Sequence, residues 1–148
     1  DGPKALRLGI DGTVVVAIST SFDFFSSDPF PVTPGDFWAA HAWIVGDSAS
    51  AGPWVRGTGS VFFSFYDNAA NTYPNTAAGD AGAATVYIPT TAPWILVRAE
   101  SGSGGGVEIP SGVTHARVTL ETVLTHEDTT ANYSFDAYWD RVIARRLP

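Results

Sequence analysis

Between Pro31 and Ser48 the chain reads PVTPGDFWAAHAWIVGDS, and this stretch leaves little freedom in what it can become. Pro34 presets φ and Gly35 supplies a permissive backbone, which together make a tight turn. Gly46-Asp47-Ser48 is a second turn signal. Between the two, Phe37 to Val45 are nine residues with no proline, no glycine and one titratable side chain, His41. At the two-residue period of a strand, Phe37, Ala39, His41, Trp43 and Val45 share one face, and Trp38, Ala40, Ala42 and Ile44 share the other. Alanine also suits a helix, but the flanking turns and the aromatic residues favour a strand. Both of its faces are apolar, which predicts a strand covered on both sides.

The rest of the chain is punctuated in the same way. Its 15 glycines and 10 prolines in 148 residues fit many strands joined by turns, and the length predicts a single domain over residues 1–148 with a substantial core. Lys4 to Ile10 alternates, with Leu6, Leu8 and Ile10 opposite Arg7. Asp11-Gly12 then reads as a hairpin turn into a second strand over Thr13 to Ser19. Ser21 to Pro31, broken by Asp28-Pro29, reads as an irregular loop. So does Ala49 to Ser60, and Asn71 to Ala84 reads as a long polar loop. Strands are predicted over Val61 to Tyr66, Thr85 to Pro89, Trp94 to Glu100, Val107 to Ile109 and Ala116 to Leu124. A last strand or bent pair of strands covers Tyr133 to Leu147. Ser101 to Gly106 reads as a flexible tip and Pro110-Ser111-Gly112 as a turn. This pattern, without repeats, heptads or helices, predicts an all-β sandwich, jelly-roll or barrel.

Charge and composition exclude several classes. A formal net charge of −7 opposes nucleic acid as the main partner, because phosphate binding needs a basic face. No apolar run approaches the ~20 residues of a membrane helix. Without cysteine there is no disulfide framework, thiolate nucleophile or cysteine metal site. The glycine-rich tip lacks the Gly-x-Ser-x-Gly elbow of serine hydrolases. His41, His115 and His126 show no paired zinc spacing. Asp136 with Asp140, or Glu127 with Asp128, offer carboxylate pairs of the kind used in glycoside hydrolysis, as any acidic chain does. Arg141, Arg145 and Arg146 crowd the last eight residues, either as a solvated strand end or as a basic tail for an acidic neighbour.

Aromatic surface is what remains. With Trp38, Ala40, Ala42 and Ile44 toward the core, His41 and Trp43 point away from it. Val61, Phe63 and Phe65 make a core row that leaves Phe62 and Tyr66 opposite. In the strand from Ala116, the row of Ala116, Val118 and Leu120 leaves Arg117, Thr119 and Glu121 opposite. The expectation is one concave face bearing His41, Trp43, Phe62, Tyr66, Arg117 and Glu121. Aromatic rings with a few oriented polar groups suit a sugar, and the competing reading is a face covered by loops or by another subunit.

In order along the chain, several short motifs resemble the carbohydrate-binding modules with a galactose-binding-domain-like jelly-roll. These are Gly2-Pro3-Lys4-Ala5-Leu6-Arg7-Leu8, Val32-Thr33-Pro34-Gly35, Ala42-Trp43-Ile44-Val45-Gly46-Asp47-Ser48 and Phe65-Tyr66-Asp67-Asn68. Further along come Thr91-Ala92-Pro93-Trp94, the stretch from Ile109 to Val118, and Tyr138-Trp139-Asp140-Arg141-Val142. The resemblance implies a non-catalytic glycan- or surface-binding module of a larger protein or particle, at an extracellular or virion surface. Its partners would be a glycan or host surface and other subunits. Modules of this shape also occur in phage tail, fibre and capsid-surface proteins, so the alternative is a purely structural virion component. Two departures concern the family's structural calcium site: its Asn-x-Gly-Phe-Glu first strand is absent before Asp1, and Arg141 stands where a second aspartate is usual. Only Asp140 carries over as a metal ligand, which implies a weak calcium site or none, and no other cofactor.

Overall fold

The structure is a computed structural model that describes residues 5–13, 19–47, 55–67, 80–88, 94–99, 106–126 and 132–148. Ten strands run through them in chain order: β1 (Leu6–Thr13), β2 (Ser19–Ser26), β3 (Phe30–Pro31), β4 (Phe37–Asp47), β5 (Val55–Tyr66), β6 (Asp80–Ile88), β7 (Ile95–Ala99), β8 (Val107–Glu108), β9 (His115–His126) and β10 (Asn132–Arg146). No helix occurs among the described residues, so none is long and apolar enough to cross a membrane. The strands form two five-stranded sheets, entirely antiparallel. In sheet A the order is β1-β10-β4-β7, with β8 also on β4. In sheet B it is β2-β9-β5-β6, with β3 also on β9.

The sheets pack face to face because each presents an alternate row of apolar side chains. Ala40, Ala42, Ile44, Val97, Ala99, Ala137 and Trp139 come from sheet A, and Val61, Phe63, Phe65, Ala116, Val118 and Leu120 from sheet B, all buried. Trp139 is the largest fully buried side chain. Its indole N–H donates to Thr122 Oγ1 at 3.2 Å, so the one polar atom of this core ring is paired inside the sandwich. Gly59 faces the same ring, and a Cβ there would lie 3.1 Å from Trp139 and collide with Ile44 Cδ1.

The turn before β4 forms as expected. Asp36 N–H donates to Thr33 O at 3.1 Å across Pro34-Gly35, and Gly35 has φ 85°, the left-handed value a type II turn requires. Gly112, at φ 84°, makes an equivalent turn after Pro110. Together these turns seat Ile109 and Val113 as plugs at one end of the core.

Several sequence expectations are corrected. Asp11-Gly12 is no hairpin turn: both residues sit in β1, opposite Ser134 and Tyr133 of β10. Of the expected second strand over Thr13 to Ser19, residues 14–18 lie outside the described residues; β2 starts at Ser19 and takes up most of the expected loop over Ser21 to Pro31. The predicted loop over Ala49 to Ser60 is strand from Val55 onward, and that over Asn71 to Ala84 is strand from Asp80. The tip over 101–105, the segment 127–131 with Glu127 and Asp128, and residues 48–54 lie outside the described residues. Finally, β4 is covered fully on one side and partly on the other. Its Ala40, Ala42 and Ile44 row is buried, whereas on the other row Ala39 is buried, Phe37 is 44% exposed and His41, Trp43 and Val45 are half-buried.

Candidate ligand-binding cleft

The predicted single aromatic face does not exist as such. β4 belongs to sheet A, whereas β5 and β9 belong to sheet B. The rows opposite the core therefore point to opposite outsides of the sandwich. His41 and Trp43 lie on the outer face of sheet A. Phe62, Tyr66, Arg117 and Glu121 lie on the outer face of sheet B. The reason is topological: alternation says which residues share a side of one strand, but not which strands share a sheet.

On sheet B, the Arg117 guanidinium sits over the Tyr66 ring, 5.9 Å from its centroid. Phe62 is opposite Thr119, and Glu121 opposite Ser60. Thr119 Oγ1 lies 3.0 Å from Ser64 Oγ and 2.9 Å from Ser26 Oγ, a hydroxyl chain across three strands. Thr119 and Ser64 are buried although they face away from the core. On this face the hydroxyls are paired among themselves, whereas Arg117 Nε is buried without a hydrogen-bond partner.

The outer face of sheet A is different, and β10 is the cause. Asp140 pairs with Trp43 and Ile143 with His41, so Arg141 and Val142 stand against Ala42 alone. This is a β-bulge, and its first residue, Arg141, has φ 50°, a position glycine usually fills. The bulge is tied locally: Arg141 N–H donates to Asp140 Oδ1 at 2.7 Å. Arg141 Nε lies 3.9 Å from the other carboxylate oxygen, a loose ion pair with the arginine 73% exposed. The extra residue also exchanges the faces of the rest of β10, putting Ile143 and Arg145 outward and Ala144 inward, where it packs on the core.

Around the bulge lies an open cleft of ≈ 260 Å³ lined by Trp43, Trp94, Asp140 and Arg141. Trp94, 41% exposed, enters at the head of β7, where Ile95 pairs with Ile44 and Leu96 with Trp43. Of the sequence-predicted residues, the structure brings together Trp43 and Asp140, with His41 one rung away between Arg98 and Ile143. Trp94 and Arg141 were not expected at a site. The available signals were a tryptophan directly after Pro93 at a strand entrance and an arginine directly after Asp140 in the closing strand. Asp136, farther along the same face, is held by Arg7 at 2.8 Å.

The cleft does not suit calcium, which takes six to eight oxygens. Asp140 offers one carboxylate whose Oδ1 is bonded to the Arg141 amide and whose Oδ2 faces a guanidinium. Among the described residues no group of three His, Asp or Glu side chains converges. The arrangement instead offers two indole surfaces, a hydroxyl acceptor and a fork of donors. No protein-family model matches this chain, and no curated protein matches it in sequence.

Proposed function

We propose that this protein is a non-catalytic, glycan-binding jelly-roll module carried by a larger protein or particle, such as a phage virion displaying it at its surface. The cleft on sheet A carries this reading: two tryptophans beside an aspartate and an arginine that a strained bulge holds in place. Sugars are bound by apolar ring faces together with a few oriented polar groups, and residues kept in rare backbone conformations cluster at ligand sites. At ≈ 260 Å³ the cleft falls just under the ~300–1,000 Å³ of drug-sized pockets, which suits a short stretch of sugar rather than a long polymer groove. The jelly-roll reading is supported by the nesting of the long strands, β1 with β10, β2 with β9, β4 with β7 and β5 with β6. That architecture recurs in lectin and viral capsid domains.

The test is a pair of variants, Trp43→Ala and Trp94→Ala, assayed by affinity electrophoresis on polysaccharides and by thermal unfolding. Each is expected to lose at least about tenfold in retention, as removal of a central aromatic anchor does. The fold should survive because neither ring is in the core. Unchanged retention in both would overturn the site.

A second reading has its own observation. Phe37, Val142 and Ile143 are 44%, 42% and 45% exposed, and Phe37 and Ile143 lie on the same outer face as the cleft. A structural virion protein would bury that face against another subunit.

A further inference from the structure

Resting on the sugar-binding reading, we infer that Asp140 sets the charge class of the ligand: the cleft takes a neutral, hydroxyl-rich sugar and rejects uronates and sulfated sugars. Asp140 Oδ1 already accepts the Arg141 amide at 2.7 Å. Its Oδ2 stands 3.9 Å from Arg141 Nε, beyond hydrogen-bond distance, so that oxygen keeps its capacity to accept. A carboxylate only accepts. A sugar hydroxyl supplies the donor it needs, whereas a ligand carboxylate or sulfate supplies none and adds a like charge. Between two indole walls, that repulsion is felt more strongly than in open water. The chain's net charge of −7 acts in the same direction at longer range. Arg141 opposes this from the cleft lining, and Arg98 and Arg145 from the same outer face, but all three are exposed, Arg141 with 73% of its side chain, where water screens them. Selectivity therefore comes from a repulsive group as much as from attractive ones.

Asp140→Asn isolates the charge. Asparagine keeps the size and an Oδ1 able to accept the Arg141 amide, so the bulge retains its tie. It leaves Arg141 as the charge among the described residues that line the cleft. Wild type and variant are compared by affinity electrophoresis on β-glucan, galactomannan and arabinoxylan as neutral probes and on polygalacturonate as the acidic one, at low and high sodium chloride. Melting curves check that both are folded. Wild type is expected to be retained by a neutral probe, with little change on adding salt, and not by polygalacturonate. Asp140→Asn is expected to lose about tenfold on the neutral probe, the scale of one hydrogen bond to a charged group. It should also gain a salt-sensitive retention on polygalacturonate. Wild-type retention on polygalacturonate equal to or above that on every neutral probe would overturn the inference and leave the sugar cleft standing. A variant indistinguishable from wild type on all four would overturn it as well. Retention of neither protein on any probe would instead remove the sugar-binding reading, and this inference with it.

Discussion

Two residues show how far a single atom's environment decides its role. Thr122 is fully buried, and its hydroxyl receives the Trp139 indole N–H at 3.2 Å. Thr122→Val preserves the shape and removes the acceptor, leaving a buried donor without a partner. That costs about 1–3 kcal/mol, read as a lower urea midpoint at unchanged slope; a loss below about 0.5 kcal/mol would mean that the indole finds another acceptor. Arg141 is the opposite case, a side chain in water on a backbone that resists it. At φ 50° a non-glycine residue is strained by about 1–3 kcal/mol, and glycine is not. Arg141→Gly and Arg141→Ala both delete the guanidinium, but only glycine relaxes the bulge. The glycine variant should be the more stable of the two by about 1 kcal/mol, with both weakened in glycan retention to the same degree. Equal stability would show that the bulge stores no strain, and undiminished retention would remove Arg141 from the site.

At the level of elements, the strands that could be read from the sequence are those whose two faces differ in chemistry. In β9, Ala116, Val118 and Leu120 alternate with Arg117, Thr119 and Glu121, and in β5, Val61, Phe63 and Phe65 alternate with Phe62, Ser64 and Tyr66. Both registers hold in the structure. The sequence predicts a strand or a bent pair for β10, and the bulge at Arg141 is its bend. Edge strands are harder. β1 and β2 lie at the margins of their sheets, where pairing on one side alone tolerates Asp11-Gly12 or the Ser-Thr-Ser start of β2, and turn chemistry misleads. The site is legible only in halves. Trp43 and Asp140 each stand out, but what joins them is a cross-strand pairing ninety-seven residues apart in sequence, fixed by the order β10-β4-β7. No local pattern carries that order. The same gap explains why sequence alone groups Phe62, Tyr66, Arg117 and Glu121 with Trp43: alternation along each strand is visible, and sheet membership is not.

For the whole molecule, the two functional readings differ in whether the outer face of sheet A meets water. A module that binds sugar through the cleft keeps the outer face exposed. A subunit of a shell covers it, and the apolar Phe37 and Ile143, 44% and 45% exposed, become the centre of an interface. The double variant Phe37→Thr, Ile143→Thr separates them, because threonine, itself β-branched, suits a strand while removing most of the apolar area. If the face is open, the variant should sediment like wild type as a monomer, and its unfolding free energy should change by no more than about 1 kcal/mol, as for exposed positions. Retention on a neutral polysaccharide should also persist, since neither residue lines the cleft. If the face is an interface, wild type should sediment as an oligomer, and the variant should dissociate and melt at a temperature that depends on protein concentration. The glycan-binding reading requires the first outcome. A wild-type oligomer that the variant breaks would assign this face to assembly instead.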